Sequence, residues 1–232
     1  MPTPLQLRLV FLLFLGTFLA SPAHSAETSS REGAQKTSYP SGQIKEEMNY
    51  KAGKMEDAYK SYYENGKLKN EAAYSNGKLN GFSKTYYPSG QLMSEVRFTD
   101  GKRQGPRKTY AKNGHLVADE SYRMGERDGS FIIYNPDTGN VQAEGHYKNG
   151  LKDGKESFYA PSGQLLFYTN YKDGKKEGEA RMYSILKNGW PTKIEHYRND
   201  KLDGQVVVFD EFAPQPEKVL RIENYKDGRQ VG

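Results

Sequence analysis

The stretch Gly81 to Gly105, GFSKTYYPSGQLMSEVRFTDGKRQG, decides the fold of this chain. Two short runs are parted by Pro88-Ser89-Gly90 and closed by Asp100-Gly101. An Asp-Gly pair is a strong hairpin signal, because a type I′ turn needs positive φ at both central residues. In the second run Leu92, Ser94, Val96 and Phe98 face one way while Met93, Glu95 and Arg97 face the other. That alternation has the period of two expected of a half-buried strand. The stretch therefore spells one β-hairpin.

Outward from it, the same phrase returns in both directions. Gly66, Gly90, Gly114, Gly139 and Gly163 open successive copies. Eleven residues on come Gly77, Gly101, Gly125, Gly150 and Gly174, and four further on Gly81, Gly105, Gly129, Gly154 and Gly178. Six Asn-Gly and six Asp-Gly pairs account for half of the 24 glycines, which favours β over α. The first strand of each copy carries an aromatic residue at Tyr62, Tyr86, Tyr110, Tyr134, Tyr159, Tyr183 and Phe209. A second aromatic position holds Tyr74, Phe98, Tyr122, Tyr147 and Tyr171.

A repeat of about 24 residues is the mark of a stacked array in which each unit contacts mainly its neighbours. The predicted fold is all-β: an elongated array of stacked antiparallel hairpins over residues 39–232, with one face drier than the other. Two strands per unit, each about 4.8 Å apart, give eight units a length on the order of 75 Å. Aromatic residues at one fixed position are expected to stack as ladders along the array, each pair contributing about 0.5–1.5 kcal/mol.

Residues 1–25 read as a signal peptide. Arg8 is its only charge, Leu9 to Ala20 is apolar but short for a membrane span, and Ala23-His24-Ser25 offers small residues before a cleavage site at Ala26. Residues 26–38 are polar and patternless, and read as a flexible lead-in. The expected address is the periplasm or envelope of a bacterium. The chain has no cysteine, so disulfides, cysteine-ligated metals and thiol chemistry are excluded. Mean hydropathy is −0.91, a value that by itself suggests disorder, but tyrosines placed in register argue for a fold. The net charge of +5 is spread as alternating Lys and Glu, without the concentrated basic face of a nucleic-acid binder.

No catalytic constellation emerges. His115, His146 and His196 have no metal-ligand spacing, and no phosphate loop, dinucleotide fingerprint or nucleophile elbow occurs. The recurring acids Glu71, Glu95, Asp119 and Glu144 are expected to make cross-strand ion pairs with neighbouring Lys and Arg. The chain reads as a non-enzyme with no cofactor, no small-molecule substrate and no nucleic-acid partner. Departures from the repeat are candidate contact sites. One is an insertion around Leu186 to Pro191 that holds the sole tryptophan, Trp190. Another is a longer segment around Phe212-Ala213-Pro214-Gln215-Pro216. Edge protection near the end of the array is the alternative reading of both.

The phrase Tyr74-Ser75-Asn76-Gly77-Lys78-Leu79-Asn80-Gly81, with its counterparts Tyr147 to Gly154 and Tyr171 to Gly178, resembles the MORN repeat in its bacterial variant. The resemblance covers most of the chain after residue 38 and extends to the YwqK-type antitoxin family. It implies an interaction or membrane-associating module. The expected function is a secreted scaffold for protein–protein contact. The alternatives are an antitoxin or immunity protein, and a module for anionic membrane surfaces using Lys54, Lys67, Lys78, Lys102, Lys152 and Lys175.

Overall fold

A computed structural model describes residues 31–232. The signal peptide expected over 1–25 and the first residues of the lead-in lie outside the described residues. Gly33–Ser38, expected to belong to the flexible lead-in, is a strand. It pairs antiparallel with the next one from Gly33↔Tyr50 to Ser38↔Ile44, so the sheet starts earlier than the repeat suggests. Its sequence GAQKTS follows the same template as GFSKTY, with Ser38 in place of the aromatic residue that made the other copies visible.

The strands are β1 (Gly33–Ser38), β2 (Ile44–Lys51), β3 (Lys54–Tyr62), β4 (Leu68–Ser75), β5 (Lys78–Tyr86), β6 (Leu92–Thr99) and β7 (Lys102–Tyr110). They continue as β8 (Leu116–Arg123), β9 (Glu126–Tyr134), β10 (Val141–Lys148), β11 (Leu151–Lys152), β12 (Gly154–Tyr159) and β13 (Leu165–Lys172). The last are β14 (Lys175–Tyr183), β15 (Pro191–Arg198), β16 (Lys201–Leu202), β17 (Gly204–Phe209), β18 (Val219–Lys226) and β19 (Arg229–Gln230). All 19 belong to one antiparallel sheet in which each strand pairs with its chain neighbours. β11 and β12 both pair with β10, and β16 and β17 with β15. Each of these two pairs is one rung interrupted at Asp153 or Asp203.

Two kinds of turn form the two long edges of this ribbon. On one edge lie two-residue turns with positive φ at both positions, such as Asn76-Gly77 (51° and 79°) and Asp100-Gly101 (50° and 80°). Each is tied to the preceding unit. The second N–H donates to a backbone carbonyl, as from Gly77 to Met55 and from Gly101 to Leu79, both at 2.8 Å. In several units the first N–H donates to a side chain three residues past the preceding turn: Asn76 to Glu56 at 2.7 Å, Asn149 to Asp128 at 3.0 Å and Asn199 to Glu177 at 2.9 Å.

The opposite edge carries the turns of the Tyr-Pro-Ser-Gly-Gln type, closed by Gly90 N–H to Tyr87 C=O at 2.8 Å. Here the hydroxyls of Tyr63 and Tyr87 donate to the carbonyls of Tyr86 and Tyr110 in the next unit, at 2.7 and 2.8 Å. Backbone groups at turns otherwise depend on water. These ties commit them to the neighbouring unit and lock successive hairpins in phase.

After each two-residue turn the exit strand bulges. Between Ala72↔Ser83 and Tyr74↔Leu79, three residues of β5 oppose the single Ala73. Gly81 sits in this bulge at φ 124°, where an added Cβ would lie 2.9 Å from that of Ala73. Pro106 occupies the corresponding bulge of β7, the one place inside a sheet where a residue without an N–H is tolerated.

The drier face has one central file crossing the strands. Cross-strand pairs link Tyr59, Ala72, Ser83, Val96, Arg107, Glu120 and Phe131 in turn. The file resumes through Glu156, Thr169, Ala180 and Glu195. Ala72, Ser83, Val96, Thr169 and Ala180 are its small members, and most of the file is buried. A single layer has no second sheet to fill, so little volume is available at its centre. Phe131 fits because it faces Gly145, where a Cβ would come within 2.7 Å of its ring.

Candidate interaction surface

The repeat-defining glycines take two structural roles. Gly77, Gly101, Gly125, Gly150 and Gly174 are the second residues of the two-residue turns, and Gly81, Gly105, Gly129, Gly154 and Gly178 lie at the following bulges. Tyr86, Tyr110, Tyr134 and Tyr159 end their strands beside the opposite edge, whereas Tyr74, Tyr122, Tyr147 and Tyr171 sit near the two-residue turns.

The expected ion-pair ladder is chiefly a tyrosine–carboxylate ladder. The hydroxyls of Tyr62, Tyr86, Tyr110 and Tyr159 donate to Glu47, Glu71, Glu95 and Glu144 at 2.7, 2.5, 3.1 and 2.6 Å. Of these acids, Glu47 also meets Lys36 at 2.7 Å and Glu71 meets Lys84 at 3.7 Å. The tyrosine wins because its rigid ring places a donor at the carboxylate, while the flexible lysine opposite keeps its head in water. Asp119 is one methylene shorter, and among the described residues no such bond joins it to Tyr134. The bond to Glu47, followed by burial, pushes the Tyr62 hydroxyl up to about 12. For Tyr86 burial comes first and the Glu71 bond second, again to about 12.

Aromatic-on-aromatic ladders do not form at the repeated positions, because two strands per unit place identical positions two rungs apart. The intervening rung supplies another residue: Leu79 beside Tyr74, Arg103 beside Phe98, Arg127 beside Tyr122, Lys152 beside Tyr147 and Lys176 beside Tyr171. Each cation then lies over the tyrosine of the following unit. Arg103 is 5.3 Å from the ring centre of Tyr122, Arg127 5.2 Å from Tyr147, Lys152 4.9 Å from Tyr171 and Lys176 4.8 Å from Tyr197. Such contacts contribute about 0.5–2 kcal/mol each. The ring contacts that do occur join different positions, such as Phe158 with Phe167 at 4.5 Å.

Buried carboxylates complete this face. Glu120 is bound by Arg107 at 2.8 Å and Arg127 at 2.7 Å, and Glu156 by Lys152 at 2.6 Å. These charges satisfy one another. Among the described residues, the three histidines are spread over three units. His115 contacts the Pro136 carbonyl at 2.7 Å and His196 that of Gln205 at 2.8 Å, while His146 lies within β10.

Of the lysines considered for anionic surfaces, Lys54, Lys78, Lys102 and Lys175 are exposed at the two-residue-turn edge. Lys54 and Lys78 lie against the turn glycines Gly77 and Gly101 of the next unit. Lys67 belongs to the opposite edge, where it donates to the Ser89 carbonyl at 2.6 Å, and Lys152 is engaged by Glu156 and Tyr171. The sequence places six lysines near turns, but the fold leaves only four of them on one edge.

The two departures from the repeat come together. Ser184, 1% exposed, accepts hydrogen bonds from the N–H groups of Leu186 and Lys187, both at 3.0 Å, and donates to Glu211 of the next loop. Lys187 lies 4.1 Å from the Trp190 ring centre and donates to the Ala213 carbonyl at 2.9 Å. Ala213 is buried, so the second loop is anchored on both sides of Phe212. On these pinned loops Ile185, Leu186 and Phe212 are 72%, 71% and 81% exposed. Trp190 is half-buried under Lys187, so the exposed apolar surface belongs mainly to Ile185, Leu186 and Phe212. Ile185 was the residue missed by sequence reasoning, and its signal was an apolar pair in a loop with no strand pattern.

Four stretches, residues 31–52, 58–76, 79–100 and 152–173, match the MORN repeat variant family. No curated protein matches the sequence. Among solved structures, one described as the crystal structure of TcdB2-TccC3-TEV is 15% identical over 77% of this chain. The match spans only 12% of that chain, and its TM-score of 0.21 carries no argument. Four stretches of this hairpin array are thus similar to the MORN repeat variant.

Proposed function

We propose that this protein is an exported, non-enzymatic scaffold that holds a protein partner in a bacterial envelope. The observation that carries the reading is the pair of inserted loops, tied to each other and to the sheet, that exposes Ile185, Leu186 and Phe212. Large apolar side chains fixed in water cost free energy when free and are recovered when covered by a partner. Rigidly held anchors also lose little entropy on binding, which favours affinity.

The test is affinity capture from a native envelope extract, using tagged protein from Ala26 to Gly232, with washes at low and high salt. One protein retained at high salt is the expected outcome, and a toxin among the captured proteins would identify the scaffold as an immunity protein. A second reading draws on Lys54, Lys78, Lys102 and Lys175 along one edge, which suit anionic lipid headgroups. Retention of anionic lipid alone, lost as salt rises, would replace the protein-scaffold reading with that one.

A further inference from the structure

We infer that the surface formed by Ile185, Leu186 and Phe212 docks a protein segment whose apolar anchors are flanked by lysine or arginine. The inference rests on the scaffold reading and adds the place of contact and the chemistry of the partner. Edge protection is the competing explanation for two adjacent insertions, and Pro214 and Pro216 would suffice for it. It does not require three large apolar side chains to be held more than 70% exposed. Nor does it require the internal bonding that fixes their loops.

Charge selects the partner. Both lysines of the two loops are already engaged: Lys187 by the Trp190 ring and the Ala213 carbonyl, Lys218 by Asp210 at 3.5 Å. Glu211 is met only by the Ser184 hydroxyl, and Glu217 is exposed with no ion pair among the described residues. Asp210, Glu211 and Glu217 against Lys187 and Lys218 leave the two loops with a net charge of −1, on a chain whose net charge is +5. An acidic rim around apolar anchors favours basic residues flanking an apolar core in the partner.

Trp190, the sole tryptophan, sits beside the site and reports on it. The probes are two synthetic peptides with the same leucine and phenylalanine core, one flanked by lysines and the other by glutamates. The lysine peptide should change Trp190 emission saturably, with the glutamate peptide weaker by at least about tenfold. A double variant, Ile185→Ser with Phe212→Ser, alters only exposed side chains and should weaken the lysine peptide by at least about tenfold. Glu217→Lys should narrow the gap between the peptides. Equal affinity for both peptides, an unchanged double variant, or no emission change would each overturn the inference. Concentration-dependent dimers abolished by Phe212→Ser would also overturn it, by seating a second copy on the surface. If the double variant still captures the envelope partner, the scaffold reading stands and only this site falls. If neither protein captures one, the scaffold reading itself fails.

Discussion

Tyrosine does two different jobs in this chain, and its distance from the turn decides which. Near the two-residue turns its ring receives a cation from the preceding unit. At the far end of the first strand its hydroxyl donates to a glutamate fifteen residues earlier. The second role has a pH signature. Tyr62 and Tyr86 ionise near 10 in an unfolded chain and are held at about 12 in the fold. A raised acid pKa means that the folded state retains the proton longer. The contribution is therefore complete below pH 10 and is lost as pH rises from about 10 through 12. Thermal melts should show a level midpoint up to pH 10 and a fall above it. Replacing both residues with Phe should lower the plateau and flatten the fall. A midpoint that drops equally in the double variant would separate alkaline unfolding from these hydroxyls. Sequence alone shows that the tyrosines recur. It does not show what they touch, because partners in adjacent units are set by the number of rungs between them.

At the scale of the hairpin, the turn chemistry was plain in the sequence at Asn76-Gly77, Asp100-Gly101, Asn149-Gly150, Asp173-Gly174 and Asp227-Gly228, while the other Asn-Gly and Asp-Gly pairs fall at bulges or other loops. It was less plain at Met124-Gly125, where a methionine holds φ 53°. A side chain without a local hydrogen-bonding group is disfavoured in that region, whereas Asn enters it readily. Met124 is 63% exposed, so little packing depends on it. Met124→Asn should stabilise the protein by about 1 kcal/mol, seen as a midpoint about 2–4 °C higher. An unchanged or lower midpoint would show that the thioether contributes more than its exposure implies. The acids three residues past some of the turn glycines were not legible in the sequence. Glu56, Asp128 and Glu177 bind the next turn's N–H, a bond that exists only after two hairpins have stacked.

Across the whole molecule, one open layer replaces the usual pair of layers around a core. Such an array gains stability from interfaces between neighbouring units and should be long for its mass. Small-angle scattering from residues 31–232 should give a radius of gyration clearly above the about 17 Å of a compact domain of that size. The longest dimension should be on the order of 80 Å. A compact radius would mean that the ribbon curls until its ends meet or that copies wrap together.

Period, turn residues and strand alternation determined the all-β hairpin array from the sequence alone, because each is a property of neighbours in the chain. Ser38 shows the limit of that legibility, since one lost aromatic residue hid a strand that the pairing with β2 makes plain. Tertiary structure decided everything that depends on the spacing between units. It turned an expected aromatic ladder into alternating aromatic and cationic residues, and expected ion pairs into tyrosine–carboxylate bonds. It also joined the Trp190 and Phe212 loops, separated by about twenty residues in sequence, through Ser184, Glu211, Lys187 and Ala213. A two-strand unit returns the chain to the same edge once per repeat, so insertions in successive units meet there.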